Sequence, residues 1–240
     1  MRKAGTRGAE TLQAIHEAAI ELISTHGFEA FNLRELAARC GIQAGSLYNY
    51  IESKEGLLRT LLQNVMNDLL REFDEQVAVI GDPVEQIRAA VRLHILFHTR
   101  RQKEVVIGNT ELRSLLPESY QSVTALRDRY EIQIRQIIAK GVASGACHVL
   151  DAKMTSFGIV AALTGVGYWY RPNGSLSQKR LIEIYEQFVL QALGIVDQEW
   201  GSRSLSREAR RPDLNSQAIG KVTAIPRRRR LAPPARAAKR

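Results

Sequence analysis

Residues 41–58 read GIQAGSLYNYIESKEGLL: a glycine, a short polar run with two tyrosines and an asparagine, then Ser-Lys-Glu leading into leucines. A helix over Ala44–Tyr50 would be anchored inward by Leu47 and Ile51, leaving Ser46, Tyr48, Asn49 and Tyr50 open to a partner. What flanks it is more apolar on both sides. Upstream, Leu12, Ile15, Ala19, Leu22 and Ile23 recur at helical spacing and predict a helix over Glu10–His26 that stops at Gly27. Phe28 and Phe31 bracket a polar link, after which Asn32 can cap a helix over Leu33–Cys40 with Leu33, Leu36 and Ala37 inward. Downstream, Ser53 can cap a long helix carrying Leu57, Leu58, Leu61, Leu62, Val65, Leu69, Phe73 and Val77 on one side.

Two short helices separated by Gly41 and packed on a third form a helix-turn-helix, whose second helix can enter the DNA major groove. The residue types suit that task. Tyr48 and Tyr50 offer hydroxyls on rigid rings to phosphate oxygens, Asn49 and Ser46 can reach base edges or backbone, and Gly45 permits close approach. Lys54 and the amides at the start of the long helix suit another phosphate.

At this point LRELAARCGIQAGSLYNYIESKEGLL (residues 33–58) resembles the DNA-binding segment of the tetracycline-repressor (TetR) family. The likeness lies in the turn glycine, the small or polar trio, Leu-Tyr-x-aromatic, an aliphatic residue, then Ser-Lys-Glu-x-Leu; it spans about Glu10–Leu62. Ile51 stands where many members have phenylalanine. The resemblance implies an all-α dimeric regulator, usually a repressor, that binds a palindromic operator with half-sites about one helical turn apart or a multiple of it. It assigns DNA contacts to Asn32, Arg34, Ala44, Gly45, Ser46, Tyr48, Asn49, Tyr50 and Lys54. Lys3, Arg7, Arg34, Arg39 and Lys54 would gather on the DNA side, while Glu10, Glu17 and Glu21 could face away; Arg34 could instead pair with a neighbouring glutamate.

The rest of the chain also reads as helix. Gly81-Asp82-Pro83 marks a stop and a capped start, and Val84, Ile87, Val91, His94, Ile95 and His98 define the inner side of a helix to about Arg101. Further helices are predicted over Lys103–Leu116, Pro117–Ser144, Asp151–Tyr170 and Ser177–Leu193. No stretch alternates with period two. The organisation expected is a head over residues 1–53, a regulatory and dimerisation domain over 54–197, and a basic tail over 198–240, disordered when free.

Charge says little about the body of the protein. The chain carries a formal net charge of +9, but residues 198–240 hold 12 of its 34 Lys and Arg and only 3 of its 25 acids, leaving 22 of each elsewhere. The tail could add sequence-independent DNA affinity or simply remain solvated. Two distant cysteines, no apolar leader and no run long enough to span a bilayer point to a cytoplasmic protein without a membrane partner. No GxSxG, HExxH or Walker loop is present, so no enzyme is expected, nor a cofactor. His94 and His98 share a helical face but lack evident further ligands for a metal.

In the regulatory half, Gly158, Ala162 and Gly165 permit close approach and Leu181, Ile184, Tyr185 and Phe188 form an apolar stripe. These are the expected dimer interface, a four-helix contact across a two-fold axis; an intrachain role is the alternative. GYWYRPNGSLS (167–177) and NTELRSL (109–115) resemble a TetR branch that controls fatty-acid, branched-chain or steroid degradation and responds to acyl-CoA thioesters. That resemblance implies a small-molecule effector site with Phe97, Tyr168 and Trp169 as walls of an apolar cavity, Asn109 beside them, and Arg113 and Arg171, or Arg101 or Arg127, at an anionic end; His94 and His98 either line the same pocket or are satisfied core groups. The alternative is a regulator of efflux or detoxification genes answering to an unrelated apolar molecule.

Overall fold

The computed structural model describes residues 4–195, with side chains from Gly8 onward. The side chains of Lys3 and Arg7 and the basic tail over 198–240 lie outside what it describes. All regular structure among the described residues is helical: α1 (Ala4–Ala30), α2 (Leu33–Arg39), α3 (Ala44–Leu47), α4 (Lys54–Gln76), α5 (Pro83–Arg100), α6 (Gln102–Thr110), a 3-10 turn (Leu112–Ser114), α7 (Pro117–Ala143), α8 (Ala152–Thr164), α9 (Val166–Trp169) and α10 (Gln178–Ala192).

The starts are written locally. Asn32, Ser53, Asp82, Asp151 and Ser177 each place a side-chain oxygen on an amide of the first turn, satisfying donors that the helix itself leaves open. Pro83 and Pro117 occupy first-turn positions where no amide is needed. Gly41 takes φ +65° between α2 and α3, a left-handed conformation that a side chain would oppose. Gly27 interrupts α1 with φ 78° and ψ 160°.

Three expected helices come out shorter. The span Ala44–Tyr50 is helical only to Leu47, and Asn49 and Tyr50 follow in turns closed by amide bonds to Ser46 and Leu47. Lys103–Leu116 stops at Thr110, and the 3-10 turn follows. Asp151–Tyr170 divides at Gly165, where the Tyr168 amide reaches back only three residues, to the Gly165 carbonyl.

Two cores result. One joins Ile15, Leu22, Phe31, Leu36, Leu47 and Ile51 of the head to Leu57, Leu58, Leu61 and Leu62 of α4, and takes in Ile107, Leu115 and Val123 from beyond it. The other fills the bundle of α4, α5, α7, α8 and α10 around Phe73, Phe97, Tyr130 and Ile138. The head therefore shares its core with the first turns of α4 and with α6, so no break in packing falls at residue 53.

Candidate functional site

The head presents an open polar surface. Tyr48 is 60% exposed, and Asn32, Arg34, Ala44, Gly45 and Asn49 are exposed as well. Gly45 stands in open space, with nothing near where a Cβ would lie. Ser46 is half-buried, and Tyr50 is half-buried with its ring against the head core. Asn32 is engaged through its carbonyl, which accepts the Glu35 amide at 2.8 Å. Lys54 is turned toward the end of α1: its ammonium donates to the Glu29 carbonyl at 3.1 Å and lies 4.7 Å from the centre of the Phe28 ring. Arg39, rather than Arg34, pairs with Glu35, at 3.4 Å.

In the regulatory half a cavity of about 140 Å3 lies between α4, α5, α6, α7 and α8. Leu62, Val65, Met66 and Leu69 of α4, with Phe97, Val105, Val123 and Val160, make its apolar wall. Its polar lining is His94, His98, Glu104, Asn109, Arg127, Tyr130 and Thr164. Of the residues expected at the effector site, His94, Phe97, His98 and Asn109 meet here.

Arg113, Tyr168, Trp169 and Arg171 do not line this cavity. Arg113 is exposed on the 3-10 turn. Arg171 folds back on its own chain, its guanidinium donating to the Tyr168 and Tyr170 carbonyls at the end of α9. Tyr168 and Trp169 are both exposed, because α9 ends at the surface. Arg101 is held by Asp68 at 2.6 Å and Glu104 at 2.8 Å.

The cation that does reach the cavity is Arg127. It donates to the Gly108 carbonyl at 2.7 Å and has no carboxylate partner among the described residues. Burial pushes its guanidinium below the ordinary value, and the exposed Tyr168 and Tyr120 act in the opposite direction. Arg127 therefore sits between the cavity and the surface that carries those two tyrosines. Arg127 was one of four arginines the sequence offered for an anionic end; the inward tyrosine Tyr130 was not among the expected residues, although it falls in phase with the buried Val123, Ile134 and Ile137 of α7.

The two histidines are linked face to face, their rings stacked with centres 3.8 Å apart. His94 Nδ1 meets the Tyr130 hydroxyl at 2.9 Å and its Nε2 meets the Thr164 hydroxyl at 3.3 Å. His98 Nδ1 lies 2.9 Å from the His94 carbonyl. Burial, aided by the neighbouring His98, lowers His94 well below the usual imidazole range; burial lowers His98 to about 4, against the carbonyl bond that favours its charged form. Both rings are neutral at physiological pH. Among the described residues no three His, Cys, Asp or Glu side chains come together as a metal would require.

A third surface is apolar and uncovered. Met154, Phe157, Gly158 and Ala161 of α8 are exposed together with Trp169, Ile184 and Phe188. Tyr185 bridges two of them, stacked on Trp169 at 6.5 Å and edge-on to Phe188 at 6.2 Å. Ala162 and Gly165 are half-buried beside this face. Leu181, expected on the same stripe, is 1% exposed and packs in the protomer's own core, because the first turn of α10 lies against the bundle.

The chain is similar to known proteins in sequence and in fold. Residues 15–61 match the family model described as bacterial regulatory proteins, tetR family, and residues 80–193 match the tetracyclin repressor-like C-terminal domain. The HTH-type transcriptional repressor KstR2 of Mycolicibacterium smegmatis is 25% identical over 189 residues, covering 77% of this chain and 90% of that protein. A tetR-family regulatory protein from Rhodococcus RHA1 superposes with a TM-score of 0.73 at 23% identity, covering 78% of this chain and 98% of its own. The crystal structure of AibR in complex with isovaleryl coenzyme A and operator DNA gives a TM-score of 0.68 at 28% identity, covering 78% and 100%.

Proposed function

Since the chain belongs to the TetR family of bacterial regulatory proteins, we propose that it represses transcription as an operator-bound dimer and is released when a short acyl-CoA thioester occupies the cavity. The observation that carries the effector reading is Arg127. A half-buried guanidinium bonded only to a backbone carbonyl, at a cavity whose one lining carboxylate, Glu104, is already paired with Arg101, calls for an oxygen acceptor from the ligand. The thioester carbonyl or the phosphates of CoA supply one; a wholly apolar effector would leave the guanidinium uncompensated. AibR, complexed with isovaleryl coenzyme A, supports the same class.

The rest of the reading has its own support. Tyr48, Asn49, Ala44, Gly45 and Arg34 form the exposed face of the head and would meet the operator, while the apolar face of α8, α9 and α10 would be covered by a second copy. The setting is the cytoplasm, and no helix among the described residues is long and apolar enough to cross a membrane. Effector and operator need be coupled by only about 1–3 kcal/mol to change DNA affinity 5- to 150-fold.

The test is fluorescence anisotropy with DNA from the gene's own upstream region, at fixed salt, against a panel of acyl-CoA thioesters and the matching free acids. A short thioester is expected to release the wild-type protein, and Arg127→Met to need at least tenfold more ligand for release from whatever operator affinity it has. Release of Arg127→Met at the wild-type concentration would remove Arg127 from the site, and Tyr48→Ala binding the operator as wild type would remove Tyr48 from the DNA interface.

A further inference from the structure

The cavity's size limits what enters it. A cavity of about 150 Å3 in another protein accepts a single benzene ring, so 140 Å3 suits roughly four to six carbons. Within so small a space each polar group faces the ligand directly. Most of these groups are already engaged: both His94 nitrogens meet hydroxyls, Glu104 is paired with Arg101, and Arg127 donates to Gly108.

Asn109 and His98 are not, and of the two His98 is the buried one. Its Nδ1 lies against a carbonyl oxygen, which can only accept, so the ring proton sits on Nδ1. A neutral imidazole with its proton there presents a bare lone pair at Nε2, and no protein donor meets that atom among the described residues. The side chain is 5% exposed and lines the cavity. A purely aliphatic group pressed against this nitrogen would strip it of water and return nothing, a loss of roughly 5- to 150-fold in affinity.

We infer that the effector carries a hydroxyl on its short acyl group, donated to His98 Nε2, so that the ligand class is hydroxyacyl rather than plain acyl. This rests on the cavity being the effector site. It makes His98 the residue that sets specificity, as sites built around a substrate hydroxyl reject analogues that lack it.

The experiment uses the full chain bound to its operator, with isovaleryl-CoA and butyryl-CoA beside their 2-, 3- and 4-hydroxy counterparts, and the corresponding free acids. Calorimetry reads direct binding and anisotropy reads operator release. At least one hydroxylated thioester is expected to bind tenfold or more tightly than its unsubstituted parent. His98→Phe, which keeps a ring to stack on His94, should erase that preference, and His98→Gln, which keeps an acceptor, should retain part of it; thermal melts establish that both variants fold. Equal binding of hydroxylated and plain thioesters to the wild-type protein overturns the inference and leaves the effector reading intact. If no compound binds while operator binding persists, both fall together. A hydroxyl preference seen among the free acids alone sustains the inference and removes CoA from the function.

Discussion

His98 should make the protein sensitive to mild acid in a way that can be calculated. Its imidazole titrates at about 4 in the fold and at 6.5 as a free side chain. The unfolded chain therefore binds a proton that the native chain refuses, so the stabilisation is complete above pH 6.5 and is lost as pH falls toward 4. Between pH 7.5 and pH 5 these two values give a loss of about 2 kcal/mol per protomer. His94 stacks on the ring, and the other titratable groups that share its cavity are Tyr130, Arg127 and Glu104. His94 is shifted in the same direction, in part by His98 itself, so its own share of the loss also shrinks in the variant and adds to the difference; the carboxylate Asp68, lowered from 3.8, titrates outside this window. Urea unfolding at one fixed protein concentration, at pH 7.5 and pH 5, should show the wild type losing about 2 kcal/mol more than His98→Phe. Equal losses in the two proteins would mean that His98 titrates normally in the fold, and the buried neutral acceptor would be refuted with it.

Three further outcomes follow from the packing. Phe188→Glu places a charge on the uncovered face of α10, where the ring is 48% exposed in one protomer; light scattering should show monomers, and a persistent dimer would place the interface elsewhere. Gly141→Ala brings a Cβ into collision with Cys147 Sγ, for an expected loss of about 1–3 kcal/mol in denaturant unfolding; Cys147→Ala in the same chain should restore most of it. Asp82→Ala removes the oxygen that accepts the Glu85 amide at 2.9 Å and should lower stability by about 1 kcal/mol without altering operator affinity.

The helices were legible because their signals are local. Asn32, Ser53 and Asp82 announce starts, Gly27 and Gly41 announce stops, and the spacing from Leu57 to Val77 specifies a single inner face. The exposed side of α3 was legible for the same reason, since Leu47 and Ile51 must point inward. The cavity was only half legible. His94 and His98 share a face four residues apart on one helix, but Arg127, Tyr130, Thr164 and Val160 reach them across α7 and α8, and no spacing along a single helix encodes that meeting. Arginine illustrates the limit: Arg101, Arg113, Arg127 and Arg171 are equivalent as letters. Only the fold pairs Arg101 with two carboxylates, turns Arg171 onto its own backbone, leaves Arg113 in solvent and carries Arg127 inward.

One helix, α6, packs on both the cavity and the head. Glu104, Val105, Gly108 and Asn109 face the cavity, while Ile107 is buried in the head core and Lys103 pairs with Glu21 of α1 at 2.5 Å. A helix of nine residues with no side-chain cap is too short to stand alone, where about 12–15 residues are needed, so its position is set by what packs on its two sides. The exposed Lys103–Glu21 pair contributes about 0–1 kcal/mol and cannot by itself carry the coupling. The Arg127–Gly108 bond is of another kind, a charged donor on a half-buried backbone carbonyl, worth roughly 1.5–3 kcal/mol. That is the size of the coupling an effector must supply. A ligand oxygen that drew the Arg127 guanidinium away would act on the backbone of the helix whose other face packs on the head, and the loss of this one hydrogen bond would be of the size needed to bias the position of α6.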